Sequence, residues 1–205
     1  MAQRIGLYGG SFDPIHFGHL ISARSLAERL ALDRVVLVPS PRPPHKLASE
    51  MTDARHRLAM ARLAIEGDPL FEVSDVELHR AGPSYTFDTV TQFRRDHGEV
   101  DELCWFIGAD SLPELPTWYR IGELVQVVRI VTAARPGWTR PNPTILAAAV
   151  GEEAAARLLQ DCIETPRIDI SATEIRARVR SHRSIQYLLA EKVRSYIASN
   201  YLYTG

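Results

Sequence analysis

A chain of 205 residues that is 45% hydrophobic and 24% charged has the size and make-up of one globular domain with a substantial core. Its formal net charge of -1 excludes bulk nucleic-acid binding through a basic surface, so any handling of anions must be local. Its two cysteines, Cys104 and Cys162, lie beside apolar residues and read as buried thiols of a reducing compartment, not as a disulfide or a metal site.

No charged leader, cleavage site or span of membrane length is present, so a cytoplasmic protein without a membrane partner is expected. Residues 4–8 read as a first strand, followed by a glycine turn and a helix over about 18–32. Strand patterns at 34–38 and 71–76 then alternate with helical patterns over about 53–66 and 87–97. Strands at 103–107 and 128–133 enclose a short helical piece at about 120–125. One helix over about 144–159, a last strand at 162–168 and two closing helices complete the order. No repeat or linker divides residues 1–205, which are expected to form a single domain. Such alternation predicts an α/β fold: a doubly wound, Rossmann-like parallel sheet in three α/β/α layers, with a small C-terminal helical segment.

The unusual residues fall just past the carboxyl ends of the predicted strands, the edge where open α/β sheets bind ligands. After the first strand comes Gly9-Gly10-Ser11-Phe12-Asp13-Pro14-Ile15-His16-Phe17-Gly18-His19. Glycines let the backbone approach a ligand and a helix start offers unpaired N–H groups, which suits phosphate. His16 and His19, three residues apart at the helix mouth, point the same way and can touch one polyphosphate. Neither the dinucleotide fingerprint nor the P-loop occurs in the chain. A proline-stiffened stretch from Pro39 ends in the cation Lys46. Gly82 to Thr89 supplies groups able to cap a helix, and Trp118 stands next to another helix start. In Ile170-Ser171-Ala172-Thr173-Glu174-Ile175-Arg176, a capping box explains Ser171 and Glu174 but not Thr173 or Arg176, which suit a polyphosphate. His56, His79, His97 and His182 belong to no cluster and read as surface or structural residues.

The string G-G-S-F-D-P-I-H-x-G-H resembles the signature of the nucleotidylyltransferase superfamily. Nearly the whole chain, in order, is similar to the bacterial nicotinate mononucleotide adenylyltransferases: the stretch from Pro39 to Lys46 resembles their P-x-x-P-P-H-K loop, with Ser40 at its first proline, and G-P-S-Y-T-x-D-T, F-I-G-A-D and I-S-x-T-x-I-R match. Ala172 stands where a serine is common in the last motif. The resemblance implies transfer of AMP from ATP to nicotinate mononucleotide, giving deamido-NAD and pyrophosphate. It implies catalytic roles for His16, His19, Lys46 and Arg176. ATP contacts are implied for Gly9, Gly10, Ser11, Phe12, Gly108, Asp110, Arg135, Ile170, Ser171 and Thr173. Mononucleotide contacts are implied for Tyr85, Thr86, Trp118 and Tyr119, with the Trp118 indole stacked on the pyridine. Mg2+ would be held mainly by substrate phosphates, with no metal site built by the protein. The attacking phosphate is already ionised, so catalysis would need positioning and charge stabilisation, with no general base. Helix-start N–H groups near Thr86 and Tyr119 would favour the pyridine acid over its amide. Alternatives left open are a related enzyme preferring nicotinamide mononucleotide and a non-catalytic nucleotide-binding regulator. The sequence also leaves open whether the protein is a homo-oligomer.

Overall fold

The computed structural model describes residues 3–41, 51–98, 102–134, 138 and 141–204. Its strands are β1 (Arg4–Gly10), β2 (Arg34–Pro39), β3 (Phe71–Val73), β4 (Glu102–Gly108), β5 (Arg129–Ala134) and β6 (Cys162–Glu164). Its helices are α1 (Phe17–Arg29), α2 (Ala54–Ala64), α3 (Thr86–His97), α4 (Ile121–Val127), α5 (Pro143–Val150), α6 (Glu152–Gln160), α7 (Ala172–Arg180) and α8 (Glu191–Ser199). The strands form one parallel sheet in the order β3-β2-β1-β4-β5-β6.

The inner strands are continuous apolar runs because both faces of the sheet are covered. Along β2 and β4 the pleat sends alternate residues to opposite sides. Val35, Leu37, Cys104 and Phe106 pack with Leu26, Met60, Ile175 and Val193, so α1, α2, α7 and α8 cover one face. Val36, Val38, Trp105 and Ile107 pack with Val90, Leu124, Leu146 and Leu158, so α3 to α6 cover the other. The three layers are those the alternation predicts. No helix among the described residues is long and apolar enough to cross a membrane.

From β1 the chain winds outward through β2 and β3, then returns to the middle and winds the other way through β4, β5 and β6. Strand order therefore reverses between β1 and β4, and the region beyond their carboxyl ends is where open α/β sheets of this kind bind ligands. Those two ends are pressed closely together. A Cβ on Gly9 would lie 2.5 Å from Cζ2 of the buried Trp105, closer than packed atoms allow. A Gly9→Ala substitution should therefore cost about 1–3 kcal/mol of stability, seen as a lower urea midpoint with an unchanged slope. An unchanged midpoint would mean that the indole has room to move.

The outer elements depart from expectation. The predicted helix over about 144–159 is two helices, parted at Gly151, whose φ of +86° favours glycine and serves both as the cap ending α5 and the cap starting α6. The edge strands β3 and β6 run only three residues each, shorter than the predicted 71–76 and 162–168, since each has a neighbour on one side only. Both cysteines are free, and burial pushes the Cys104 thiol up to about 12.

Candidate active site

The turn after β1 is held in a conformation that few side chains adopt. Phe12 has a φ of +45°, and burial of its ring offsets the strain. That ring meets Tyr8 and His19 edge-on, with centroids 5.6 and 5.3 Å apart. His16 then caps α1, and its backbone N–H donates to Nδ1 of His19 at 3.2 Å. The two imidazoles stack with centroids 3.8 Å apart, so the predicted pairing of histidines is present. Gly18 permits this, because a Cβ there would stand 3.0 Å from the His16 ring and 3.4 Å from the Ile170 carbonyl.

The contact from the His16 N–H has a chemical consequence. With Nδ1 of His19 accepting, the ring proton of the neutral form belongs on Nε2. Burial, and then the neighbouring His16, hold the His19 pKa well below its ordinary value, so the ring is neutral at pH 7. His19 is thus a neutral N–H donor of fixed tautomer, suited to an oxygen that gains negative charge.

The distant Ile170–Arg176 motif is brought onto the same turn. Nη1 of Arg176 donates to the Asp13 carbonyl at 2.7 Å, and Nη2 lies 3.3 Å from Oγ1 of Thr173. Oγ of Ser171 accepts from the Glu174 N–H at 3.1 Å, which makes Ser171 the cap of α7. Only this half of the expected capping box forms, because the Glu174 carboxylate turns to Arg178 at 3.6 Å. Gly108 lies two residues past Phe106, which pairs with Tyr8 of β1, so Gly108 stands across from Gly10 at the point of reversal. Asp110 folds back over Gly108, where an added Cβ would collide with Oδ1 of its carboxylate.

A second group surrounds the start of α3. The rings of Tyr85 and Tyr119 lie 4.5 Å apart, and the Arg120 guanidinium lies 4.0 Å above the Phe87 ring, tying the 118–120 segment to this helix start. Thr86 opens α3 without a side-chain cap from Tyr85. Trp118 is partly buried against the core under α3 to α6. Lys46 and Arg135 lie outside the described residues.

The other histidines are structural or on the surface. His56 bonds the Tyr196 hydroxyl at 2.9 Å, His79 lies 3.6 Å from Asp75, His97 stacks on Phe93 and His182 is exposed. Among the described residues no group of three or more His, Cys, Asp or Glu side chains could hold a metal ion. Sequence reasoning missed Arg57, whose side chain is buried beneath the first turn and bonds the Ser11 carbonyl at 2.6 Å. A signal existed, because Arg57 shares the buried stripe of α2 with Met60 and Ala61, where a charge is out of place.

A cytidylyltransferase-like family model matches residues 7–178. The chain is 42% identical over 200 residues to a probable nicotinate-nucleotide adenylyltransferase of Moorella thermoacetica, across 98% of this chain and 91% of that one. It is 37% identical over 201 residues to the nicotinate-nucleotide adenylyltransferase of Bacillus subtilis, across 98% of each. Among solved structures, Plasmodium falciparum nicotinic acid mononucleotide adenylyltransferase complexed with NaAD matches with a TM-score of 0.76 at 20% identity, across 98% of this chain and 97% of that one, a likeness of fold. The chain belongs to the cytidylyltransferase-like family and, by identity over nearly its full length, to the nicotinate-nucleotide adenylyltransferases within it.

Proposed function

We infer that the protein transfers AMP from ATP to nicotinate mononucleotide, forming deamido-NAD and releasing pyrophosphate. The observation that carries this reading is the gathering of the glycine turn, the stacked His16–His19 pair and Arg176 at the point where strand order reverses.

The mononucleotide phosphate attacks the α-phosphorus of ATP. It is ionised at neutral pH, so no side chain has to remove a proton from it. In this reading Gly9 to Phe12 let the backbone approach the phosphates, and Nε2–H of His19 donates to a phosphate oxygen as charge moves toward the leaving pyrophosphate. His16 holds the His19 ring in place through its backbone N–H and its stacked imidazole. Arg176 and the start of α7 face the far phosphates. Lys46 and Arg135 are assigned to phosphate and to adenine or ribose by motif alone. ATP enters as its complex with a divalent cation, which we take to be Mg2+. The groups gathered here are mostly hydrogen-bond donors, which complement phosphate oxygens, so the cation stays with the substrate. Gly108 and Asp110 are assigned to the adenosine, and Tyr85, Thr86, Trp118 and Tyr119 to the mononucleotide.

A pyrophosphate-release assay with ATP and Mg2+, run on both pyridine mononucleotides, tests the reading. The acid form should be preferred by roughly 10- to 100-fold in kcat/KM, since the amide would turn an NH2 toward a backbone N–H donor. A preference for the amide would overturn the carboxylate assignment, and release with neither would overturn the reaction. Trp118→Ala should raise KM for the mononucleotide by roughly tenfold, the scale of one lost stacking contact, and leave KM for ATP nearly unchanged. Equal losses for both substrates would remove the stacking role.

A further inference from the structure

Arg57 is a buried guanidinium that, among the described residues, makes four hydrogen bonds, each to a main-chain carbonyl. Nη1 donates to Ser11 at 2.6 Å and to Ser40 at 2.7 Å, Nη2 to Pro41 at 3.0 Å, and Nε to Thr52 at 2.9 Å. Ser11 belongs to the phosphate turn, Ser40 and Pro41 follow β2, and Thr52 leads into α2, so one side chain ties three backbone segments together. The Ser40 N–H in turn donates to the Gly10 carbonyl at 2.9 Å, which joins the end of β2 to the same turn. Among the described residues no carboxylate lies within ion-pair distance of Arg57.

Asp13 braces the other side. Its buried carboxylate accepts from the Tyr203 hydroxyl at 2.7 Å and from the Thr52 N–H at 3.3 Å, while its carbonyl receives Arg176. Burial pushes the Tyr203 hydroxyl well above its ordinary range, so it stays a donor. The network thus runs from Tyr203 through Asp13 and Thr52 to Arg57, and from there to Ser11 and Ser40.

For stability alone this is a poor use of the position. Burying a guanidinium is costly even when its donors are satisfied, and an apolar side chain would continue the stripe of Met60 and Ala61. What the arginine provides is direction. A trans peptide points its N–H opposite to its C=O, so an inward Ser11 carbonyl turns the Phe12 N–H to the far side of the turn from Arg57.

We propose that Arg57 is a positioning residue for ATP, fixing the peptides of the phosphate turn and seating the end of β2 against it, with Asp13 and Tyr203 as its support. The proposal rests on the reaction inferred above for the substrate it names. Arg57→Lys keeps the charge but loses the planar fork that reaches four carbonyls. It should lower kcat/KM for ATP by about 10- to 100-fold, the scale of a misplacement of about 1 Å, with KM for the mononucleotide nearly unchanged. Tyr203→Phe, which removes a single hydroxyl, should shift the same constant in the same direction by a smaller factor. A merely structural role would lower Tm and leave kcat/KM for ATP per folded molecule unchanged in both variants, and that result would overturn the proposal. So would a KM that rises equally for ATP and for the mononucleotide. If Arg57→Lys does not fold, Tyr203→Phe decides by the same criterion. Calorimetry of ATP binding separates this proposal from the reaction: weaker ATP binding by either variant, beside a wild type that releases no pyrophosphate, would keep the positioning role and remove the reaction.

Discussion

Replacing His19 with alanine should slow dinucleotide formation by about 100-fold or more in kcat, the scale of losing one transition-state donor. The argument rests on geometry, since the His16 N–H occupies Nδ1 and leaves Nε2–H as the ring's outward donor. Because the contact strengthens as charge develops, the loss should appear in kcat far more than in KM for the mononucleotide. The pH profile adds a second check. His19 is neutral in the free enzyme, so kcat/KM for ATP should not fall as pH rises from about 6.5 to 8 through loss of a His19 proton. A falling limb that vanishes in His19→Ala would show that a cationic ring does the work. Turnover near the wild-type rate in that variant would remove His19 from the chemistry.

Arg176→Lys should cost roughly 10- to 100-fold in kcat/KM for ATP despite keeping the charge. In the free protein the Arg176 guanidinium already spends Nη1 on the Asp13 carbonyl and Nη2 on Thr173. A planar fork can hold those partners and still present an N–H edge to phosphate, whereas an ammonium is one point charge at the end of a flexible stem. Arg176→Ala should lose more, because the Asp13 carbonyl also loses its donor. Equal activity of the lysine and wild-type proteins would mean that only charge matters at this position.

Much of the fold was legible because its signals are local. A continuous apolar run such as residues 103–107 suits a strand covered on both faces, and the glycine turn before α1 announces itself in a few residues. The histidine pair was legible for the same reason, as three residues of helix bring the two rings together. What escaped depends on tertiary placement. Gly151 looks like one more residue of a long helix until its positive φ separates α5 from α6. The short β3 and β6 follow from their places at the sheet edges, which no stretch of either strand records. Arg57 and Tyr203 carry no motif of their own. Their meaning comes from carbonyls and a carboxylate that lie far away in sequence, as with Tyr203 and Asp13, 190 positions apart.

That last separation sets the order in which a newly made chain can become competent. The residues of the histidine turn are translated before Tyr203, and the hydroxyl that steadies them arrives nearly two hundred codons later, at roughly 10 to 40 s for ordinary synthesis rates. Throughout that interval the nascent polypeptide displays the motif without its brace, and nucleotide capture should strengthen as Arg176 and Tyr203 fold back onto it.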